Sequence, residues 1–379
     1  MLQVCAADHM AYYSLRPLMR AAQDSGWIVE FACADGDYAK KMRAEGFSQR
    51  IIPMTRSLSP AQQLRSVLTL TNSLRRRRPG VVHTHTPVGG IIGRTAARLA
   101  GVSAIVHTLH GLPFAGKPQS NAERAFLYAE RALAPSTTLF FSQSVSDALE
   151  GARLRIAPAE RTTVIGNGVD LVRFRPDPAA RQRMRAELGI ASDSIVVTTI
   201  ARLVREKGLV ELADAAYALR DNDKLVFLIV GRSEPSDRTH LEADLAAHPA
   251  ARALRQRWRP LGRRDDVERL LQASDLYVLP THREGLPRSI IEAMATGLAV
   301  VATDIPACRE LVEPERTGAL VPVGDANALG AAILRLAERA DRVGMGARGR
   351  AVAEARHDEA RIIAHQLRLL EGAVTSATR

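Results

Sequence analysis

Along most of this chain, short β-branched apolar runs alternate with longer amphipathic stretches. Residues 81–84, 195–200 and 225–230 are runs of the first kind, and residues 61–77 and 289–295 are stretches of the second. Strands that alternate with helices predict βα units and a parallel sheet. Ligands of such sheets bind at the carboxyl ends of the strands, so functional residues are expected in the loops that follow them.

The alternation is interrupted near residues 166–195, where Gly166 to Asp170 has turn-forming sequence and two prolines follow. A chain of 379 residues suggests two domains. We predict a first domain over residues 1–170 and a second domain over 171–354. The C-terminal helix, about residues 355–379, is expected to join the first domain. The predicted fold class is α/β, with two doubly wound Rossmann-like domains facing a central cleft.

Residues 61–77 are predicted to form a helix in the first domain. Its apolar positions predict one face made of Leu64, Val67, Leu68, Thr71 and Leu74. Arg75 to Arg78 end this helix before Pro79-Gly80. Cations are favoured at a helix C-terminus, and binding of a lipid phosphate is the alternative explanation.

The positive charge is concentrated in the first part of the chain. Residues 1–170 carry 20 Lys and Arg against 12 Asp and Glu, a net +8, whereas the remainder carries 32 against 29, a net +3. This excess suggests an anionic partner, either a membrane surface or a lipid-linked phosphate. Nucleic acid is disfavoured, because aromatic residues are only 4% of the chain and no nucleic-acid motif is visible.

The composition favours a cytoplasmic protein. No apolar run reaches the ~18 residues of a transmembrane helix. Asp8 and His9 interrupt the apolar N-terminal segment, which argues against a signal peptide. The three cysteines are too few and too scattered for a disulfide framework or a zinc cluster.

Glu284 and Glu292 bracket the segment Gly285-Leu286-Pro287-Arg288-Ser289-Ile290-Ile291. A helix is expected to begin near Leu286, with Pro287 in its first turn. The amide groups of the following residues, Arg288 to Ile290, would then face a phosphate. The two carboxylates suit sugar and ribose hydroxyls. The alternative is a surface loop followed by an ordinary helix, with no role in binding.

Arg202 and Lys207 follow the predicted strand 195–200, in a loop that ends at Gly208. A planar guanidinium and a point-like ammonium can hold two phosphates from different sides. Solvated loop cations are the alternative.

His110 follows the predicted strand 104–108, within the segment Leu109-His110-Gly111-Leu112-Pro113-Phe114. It could reach a bound ligand, although a lone histidine is more often structural. His83 and His85 resemble a metal-ligand pair. We expect their side chains on opposite faces of the strand, and a third ligand is not evident.

The motifs, in their order and spacing, resemble the retaining glycosyltransferases of family 4, which have the GT-B fold. The resemblance is closest to the branch that extends capsule, O-antigen or other lipid-linked glycans. The segments that carry it are Ala201 to Gly208, Ile229-Val230-Gly231, Leu261-Gly262, Asp266-Val267, Ala273 to Pro280, Glu284 to Glu292, Gly318 and Val321-Pro322. One departure is Ala6 to Ala11, where many members have a glycine-rich loop.

The resemblance makes residues 1–170 the acceptor-side domain and residues 171–354 the nucleotide-sugar-binding domain, and it also implies residue roles. Arg202 and Lys207 would hold the donor diphosphate, and Glu292 would bind the ribose. Glu284, with Gly285 to Ser289 after it, would hold the donor sugar. His110 would approach that sugar, and the backbone at Leu261-Gly262 would hold the base.

The expected activity is transfer of a hexose or N-acetylhexosamine from a nucleotide sugar to a lipid-linked or polysaccharide acceptor. The expected donor is a UDP-sugar. Retention of configuration, no metal and no cofactor are expected. The protein is also expected to lie peripherally on the inner face of the cytoplasmic membrane. Two alternatives stay open. One is a UDP-sugar epimerase of the GT-B fold, and the other is a non-catalytic subunit that binds lipid or a partner glycosyltransferase.

Overall fold

Two parallel sheets carry the fold, one in each structural unit of the chain. The structure is a computed structural model, and it describes residues 1–54, 59–112, 120–234, 237 and 239–377. The first unit comprises residues 1–166 and 360–379, and the second comprises residues 167–359.

The sheet of the first unit has seven strands within the described part of the chain, in the order β3-β2-β1-β4-β5-β6-β7. The strand order reverses between β1 and β4, which is where a doubly wound sheet opens a crevice at its carboxyl edge. The strands are β1 Leu2–Val4, β2 Glu30–Cys33, β3 Ser48–Ile51, β4 Val81–His85, β5 Ala104–Leu109, β6 Leu139–Ser142 and β7 Thr162–Val164.

Helices connect these strands, and the first of the helices continues into a π-helical turn, Ala11–Leu15. Because helices cover the sheet, central strands such as β4 and β5 are buried along their whole length. The helices are α1 Asp8–Met10, α2 Arg16–Asp24, α3 Asp37–Ala44, α4 Pro60–Arg76, α5 Pro87–Ala100, α6 Asn121–Leu133 and α7 Val145–Arg153.

The sheet of the second unit has six strands among the described residues, in the order β10-β9-β8-β11-β12-β13. Its order reverses between β8 and β11, so the corresponding crevice lies between the loops that follow these two strands. The strands are β8 Ile195–Ile200, β9 Leu225–Val230, β10 Trp258–Gly262, β11 Leu276–Leu279, β12 Ala299–Thr303 and β13 Gly318–Val321.

Side-chain caps fix the starts of several helices of the second unit. The carboxylates of Asp177 and Asp325 accept hydrogen bonds from Ala180 and Ala328, each at 2.8 Å. The helices are α8 Pro178–Glu187, α9 Leu209–Ala218, α10 Glu242–Ala247, α11 Pro249–Leu254, α12 Val267–Ala273, α13 Arg288–Ala295, α14 Pro306–Arg309, α15 Ala326–Glu338 and α16 Arg342–Arg356.

The last helix, α17 Glu359–Ala377, returns the chain to the first unit. Its residues Leu367, Leu370 and Ala373 are buried in the same apolar cluster as Val81 and Phe141. No helix of the described residues is both long and apolar enough to span a bilayer.

The expected buried face of α4 is wrong in part. Leu64 and Leu68 are exposed, whereas Ser66, Leu70 and Leu74 form the buried row at a spacing of four. The polar Ser66 can be buried because its hydroxyl donates to the carbonyl of Pro53 at 2.9 Å. A serine whose hydroxyl is hydrogen-bonded therefore occupies a buried position of α4, whereas hydropathy alone predicts that the leucines of the helix are buried.

Candidate active site

Gly208 shapes the crevice of the second unit, because it brings the loop after β8 against the end of β11. Its φ is +69°, and a Cβ added there would lie 1.8 Å from the carbonyl oxygen of Pro280. Any other residue would therefore push the two loops apart.

Glu206 joins the same two loops through its backbone. Its carbonyl accepts hydrogen bonds from the His282 amide at 2.8 Å and from the Thr281 hydroxyl at 3.1 Å. The loop after β8 is thus fixed to the loop after β11 at two points, which positions the side chains that both loops carry.

Lys207 and Glu284 meet across this crevice. The Nζ of Lys207 lies 2.6 Å from Oε1 of Glu284, and the two side chains are 13% and 18% exposed. The structure therefore brings together two predicted site residues from opposite sides of the crevice. A cation and a carboxylate in this position can hold a phosphate and a sugar hydroxyl next to each other.

Arg202, the second predicted cation, lies in the loop with Lys207. Its guanidinium contacts the carboxylates of Asp237 and Glu206, the latter at 3.1 Å. Arg283 also contacts Glu206, at 3.2 Å. The sequence interpretation missed Glu206 and Asp237 as partners, although Glu206 stands between the two cations in the sequence. Both carboxylates hold the Arg202 guanidinium in place.

Glu292 lies in the second turn of α13 and pairs with Arg288 at 3.2 Å. Arg288 also contacts Glu359 at 3.0 Å. Burial raises the pKa of Glu292 above its ordinary value of 4.5, and the charge of Arg288 opposes that shift. A desolvated carboxylate of this kind is a strong acceptor for hydroxyl groups.

The expected start of this helix is wrong by two residues. The first helical residue is Arg288, and Pro287 is the N-cap, with φ −68° and ψ 104°. The amide of Ile290 donates to the Pro287 carbonyl at 3.1 Å, so it is used inside the first turn. Proline has no amide hydrogen, so Pro287 leaves no unpaired backbone donor in the N-cap position.

Tyr277 is a further site residue that the sequence interpretation missed. Its hydroxyl donates to the carbonyl of Ile200, the last residue of β8, at 3.2 Å. It also hydrogen-bonds the side chain of Ser289. Burial raises the pKa of Tyr277, and the negative charges of Glu292 and Glu284 add to that rise, so the phenol stays protonated. A tyrosine inside an otherwise aliphatic strand was the signal that could have found it.

Leu261 and Gly262 end β10, which lies beyond β9 from the crevice. Gly262 has φ +63°, and its carbonyl accepts a hydrogen bond from Gly231 at 2.8 Å. The sheet thus places these two residues along the same carboxyl edge as Arg202 and Lys207, but two strands from β8.

In the first unit, His110 follows β5 and hydrogen-bonds His85, with 3.0 Å between His110 Nε2 and His85 Nδ1. The expectation that His83 and His85 point to opposite faces is wrong. Their ring centroids are 4.1 Å apart, because residues two apart on a strand share a face. Pro113 and Phe114 of the same motif lie outside the described residues.

The loop that departs from the glycine-rich pattern holds Asp8. Its carboxylate accepts hydrogen bonds from the amides of Tyr38 at 3.0 Å and Ala39 at 3.3 Å, at the start of α3. An acidic side chain of the protein itself therefore occupies this helix N-terminus.

Two α/β units of this topology, with a charged crevice at a strand-order reversal, define the class of GT-B proteins. Residues 14–173 match the family described as Glycosyltransferase Family 4, and residues 194–339 match Glycosyl transferases group 1. The chain belongs to family 4 of the glycosyltransferases. It is therefore a glycosyltransferase, and the predicted family and the predicted two-domain GT-B α/β fold are confirmed.

Curated relatives are bacterial glycosyltransferases. The chain is 31% identical over 290 residues to the Escherichia coli UDP-Gal:alpha-D-GlcNAc-diphosphoundecaprenol alpha-1,3-galactosyltransferase, covering 75% of this chain and 73% of that protein. It is also 31% identical over 331 residues to the putative glycosyltransferase EpsD of Bacillus subtilis strain 168, covering 84% and 82%.

Solved structures agree on the fold. Anabaena HepE in complex with UDP has a TM-score of 0.83 at 22% identity, covering 98% of both chains. Sucrose-phosphate synthase from Thermosynechococcus elongatus has a TM-score of 0.84 at 22% identity, covering 99% of both chains.

Proposed function

We propose that this glycosyltransferase transfers a hexose or N-acetylhexosamine, with retention of configuration, from a UDP-sugar to a lipid-linked or polysaccharide acceptor. The observation that carries the proposal is the ion pair between Lys207 and Glu284 at the crevice of the second unit. The names of the E. coli relative and of the HepE complex, which specify UDP-Gal and UDP, support the choice of donor.

The crevice supplies what cleavage of a sugar–diphosphate bond needs. Negative charge develops on the leaving diphosphate, where Lys207 and Arg202 would stabilise it, and positive charge develops on the sugar ring beside Glu284. Removing one such preorganised contact typically costs about 3 kcal/mol, or about a hundredfold in rate. Glu292 would accept hydrogen bonds from the ribose hydroxyls, and His110 of the first unit is proposed to contact the donor sugar.

The remaining chemistry is proposed without a metal or a cofactor. The acceptor hydroxyl would attack from the side of the leaving group, and a phosphate oxygen of that group would take the acceptor proton. The bond from C1 to the diphosphate oxygen breaks as the bond from C1 to the acceptor oxygen forms. This path needs no separate general base from the protein.

The test is a panel of UDP-, GDP- and ADP-sugars offered to the purified full chain with a bacterial membrane lipid extract, in buffer containing EDTA. We expect a glycosylated lipid from a UDP-sugar by mass spectrometry, and an anomeric configuration unchanged from the donor by NMR. Epimerised UDP-sugar without transfer, or no turnover of any sugar nucleotide, would overturn the proposal in favour of the epimerase or the non-catalytic subunit.

Lys207→Ala and Glu284→Ala are each expected to lower turnover by about a hundredfold. Lys224→Ala is the matched control, because Lys224 is exposed and precedes β9, at the amino edge of the same sheet. Equal turnover by the three variants would contradict the assignment of the crevice.

The proposal includes docking of the first unit on the inner face of the cytoplasmic membrane. Residues 46–122 contain ten Lys or Arg and no Asp or Glu. Within them, α4 exposes Leu64 (58%) and Leu68 (51%), and the exposed Arg75 to Arg78 follow at its end. Apolar side chains next to cations fit the interface of an anionic bilayer.

Vesicle sedimentation tests this surface. We expect binding to phosphatidylglycerol-containing vesicles that weakens with added salt, and little binding to phosphatidylcholine alone. Replacing Leu64 and Leu68 by Asp should abolish it. Leu149→Asp is the control, since Leu149 is 69% exposed on α7 of the same unit. Binding that ignores salt and lipid charge would contradict this part of the proposal.

A further inference from the structure

Three of the six tyrosines of the chain lie together in the first unit. The ring centroids of Tyr12, Tyr13 and Tyr38 are between 5.0 and 5.5 Å apart. Tyr13 stands at steep angles to both other rings, 83° to Tyr12 and 62° to Tyr38, and it is 42% exposed. Because aromatic residues are only 4% of the chain, this tyrosine cluster is a local concentration of ring surface.

The tyrosine cluster lies at the carboxyl edge of the first sheet. Tyr12 and Tyr13 belong to the π-helical turn that follows β1 through α1, and Tyr38 is the second residue of α3, which follows β2. Since β1 and β2 are parallel neighbours, both strands end at the edge where the crevice between β1 and β4 opens. Single π-helical turns are frequent at functional sites. The cluster is therefore placed where sheets of this kind bind ligands.

Asp8 fixes the two segments that carry the rings. Its carboxylate accepts hydrogen bonds from the amides of Tyr38 at 3.0 Å and Ala39 at 3.3 Å, and also from the amide of His9 at 2.8 Å. Gly36 permits this approach, because a Cβ there would lie 2.2 Å from Oδ2 of Asp8. The turn after β1 is thereby tied to the start of α3, and the rings of both segments are held together before any ligand binds.

Lys41 supplies a cation beside the cluster. Its Nζ lies 5.7 Å from the ring centroid of Tyr12 and 5.3 Å from that of Tyr38, within the range of a cation–π interaction. Among the described residues, no carboxylate forms an ion pair with Lys41. An ammonium that is held over ring faces keeps its hydrogen-bond donors for an anionic group.

The other cations around Lys41 are neutralised by carboxylates. The nitrogen–oxygen distances of these pairs are 2.9, 3.1 and 2.8 Å, and the pairs are Arg16–Glu45, Lys40–Asp37 and Arg43–Asp35. The surface therefore presents one ammonium without a carboxylate, next to one exposed ring. A single phosphate joined to a ring-shaped group suits this arrangement, whereas an anionic bilayer needs several free cations.

We propose that the tyrosine cluster and Lys41 bind a phosphorylated sugar of the acceptor, with the sugar ring on Tyr13 and the phosphate at Lys41. This inference rests on the proposed function, in which the acceptor is a lipid-linked or polysaccharide glycan. The acceptor would thus already carry a sugar. A lipid phosphate without a sugar would lack the part that Tyr13 contacts.

The two halves of such a ligand match the two parts of the surface. One face of a sugar ring presents C–H groups with partial positive charge, and the face of an aromatic ring is negative. Phosphate oxygens accept charge-assisted hydrogen bonds from an ammonium. Tyr12 and Tyr38 are positioning residues, because they contact both the Tyr13 ring and the Lys41 ammonium or one of the two.

Titration calorimetry of the purified full chain tests the surface, with excess UDP present to occupy the crevice of the second unit. The probes are butyl diphosphate alone and butyl diphosphate that carries N-acetylglucosamine, glucose or galactose. We expect at least one sugar-bearing probe to bind about tenfold more tightly than butyl diphosphate, the upper range for an aromatic contact. Equal affinity for all four probes would overturn the proposal.

Variants assign the two contacts separately. Tyr13→Ala and Tyr13→Leu should each remove the advantage of the sugar-bearing probe and leave the affinity for butyl diphosphate unchanged. Tyr13→Phe, which keeps the ring, should bind as the parent protein does. Lys41→Ala should weaken binding of every probe, by about fivefold for an exposed charge pair. Full sugar preference in Tyr13→Leu would overturn the role of the ring.

Two matched controls exist in the chain. Tyr217 is 40% exposed and has the Arg220 guanidinium over its ring at 4.7 Å, but it lies on α9 of the second unit. Lys40 neighbours Lys41 on α3 and is paired with Asp37. Tyr217→Ala and Lys40→Ala should retain the affinity of the parent protein for every probe. Losses equal to those of Tyr13→Ala and Lys41→Ala would contradict a local site.

Turnover and vesicle binding separate this inference from the proposed function. With an acceptor that the parent protein glycosylates, Tyr13→Ala should lower kcat/KM about tenfold, and an unchanged value would overturn the inference. Expected probe binding without transfer to any acceptor would instead overturn the proposed function. Loss of binding to phosphatidylglycerol vesicles in Tyr13→Ala, with unchanged affinity for the sugar-bearing probes, would assign the cluster to the membrane and overturn the inference.

Discussion

Replacing Gly208 by alanine tests how the crevice of the second unit is built. The left-handed φ of +69° costs a non-glycine residue about 1 kcal/mol. The added Cβ would also lie 1.8 Å from the Pro280 carbonyl oxygen, and relieving such an overlap typically costs about 1–3 kcal/mol. We therefore expect Gly208→Ala to lower the free energy of unfolding of the second unit by about 2–4 kcal/mol.

Gly189→Ala separates the two contributions. Gly189 has φ +59°, but a Cβ there would meet no atom within 4 Å. This control should lose only the conformational part, about 1 kcal/mol. The difference between the two variants then measures the overlap with Pro280.

The assay is urea unfolding followed by tryptophan fluorescence. The chain has two tryptophans, Trp27 in the first unit and Trp258 in the second. In a Trp27→Phe background, the buried Trp258 reports the second unit alone.

Activity provides the functional half of the test. Lys207 precedes Gly208, so a displaced loop should separate its ammonium from Glu284 and lower kcat/KM by roughly tenfold or more, whereas Gly189→Ala should retain turnover. If Gly208→Ala unfolds at the same urea concentration as Gly189→Ala and turns over equally fast, the close approach of the two loops is not what positions the site.

Three further outcomes are expected. Tyr277→Phe should lower the unfolding free energy of the second unit by about 1 kcal/mol, since the Ile200 carbonyl loses its donor, and urea unfolding measures this. Glu292→Gln should stabilise that unit at pH 7. The raised pKa of Glu292 means that the parent protein loses stability as pH rises from 4.5 through the folded-state pKa, so unfolding curves of the two should converge toward pH 4. Glu130→Ala should cost the first unit about 3–5 kcal/mol by leaving Arg94 buried without its carboxylate, and the double variant Arg94→Met, Glu130→Met should lose much less in thermal unfolding.

Local sequence was sufficient for most strands. The predicted bounds 195–200 and 225–230 are those of β8 and β9, because a buried parallel strand is a short apolar run that can be recognised without knowledge of its neighbours. The buried face of α4 was predicted less well, since helical periodicity does not show that the Ser66 hydroxyl donates to the Pro53 carbonyl.

The candidate site was predictable as a set of residues, not as a set of contacts. Arg202, Lys207, Glu284 and Glu292 were identified because each stands in a loop or helix that follows a strand. Their roles remain predictions. Three sets of contacts were missed: those of Tyr277, those of Glu206, and the hydrogen bonds of His85 with Gln3 and His110. Each of them depends on a partner from another strand or from the loop that follows it.

The sequence by itself determined the alternation of strands and helices and the loops that carry the charged residues, since both depend on patterns within a few residues. Only the tertiary structure decided which loops meet. Lys207 reaches Glu284 across 77 positions, and His85 reaches Gln3 across 82, because parallel strands need long crossovers and the sheet order puts β8 beside β11 and β1 beside β4. That order depends on how the helices pack over the whole sheet, which local sequence does not contain.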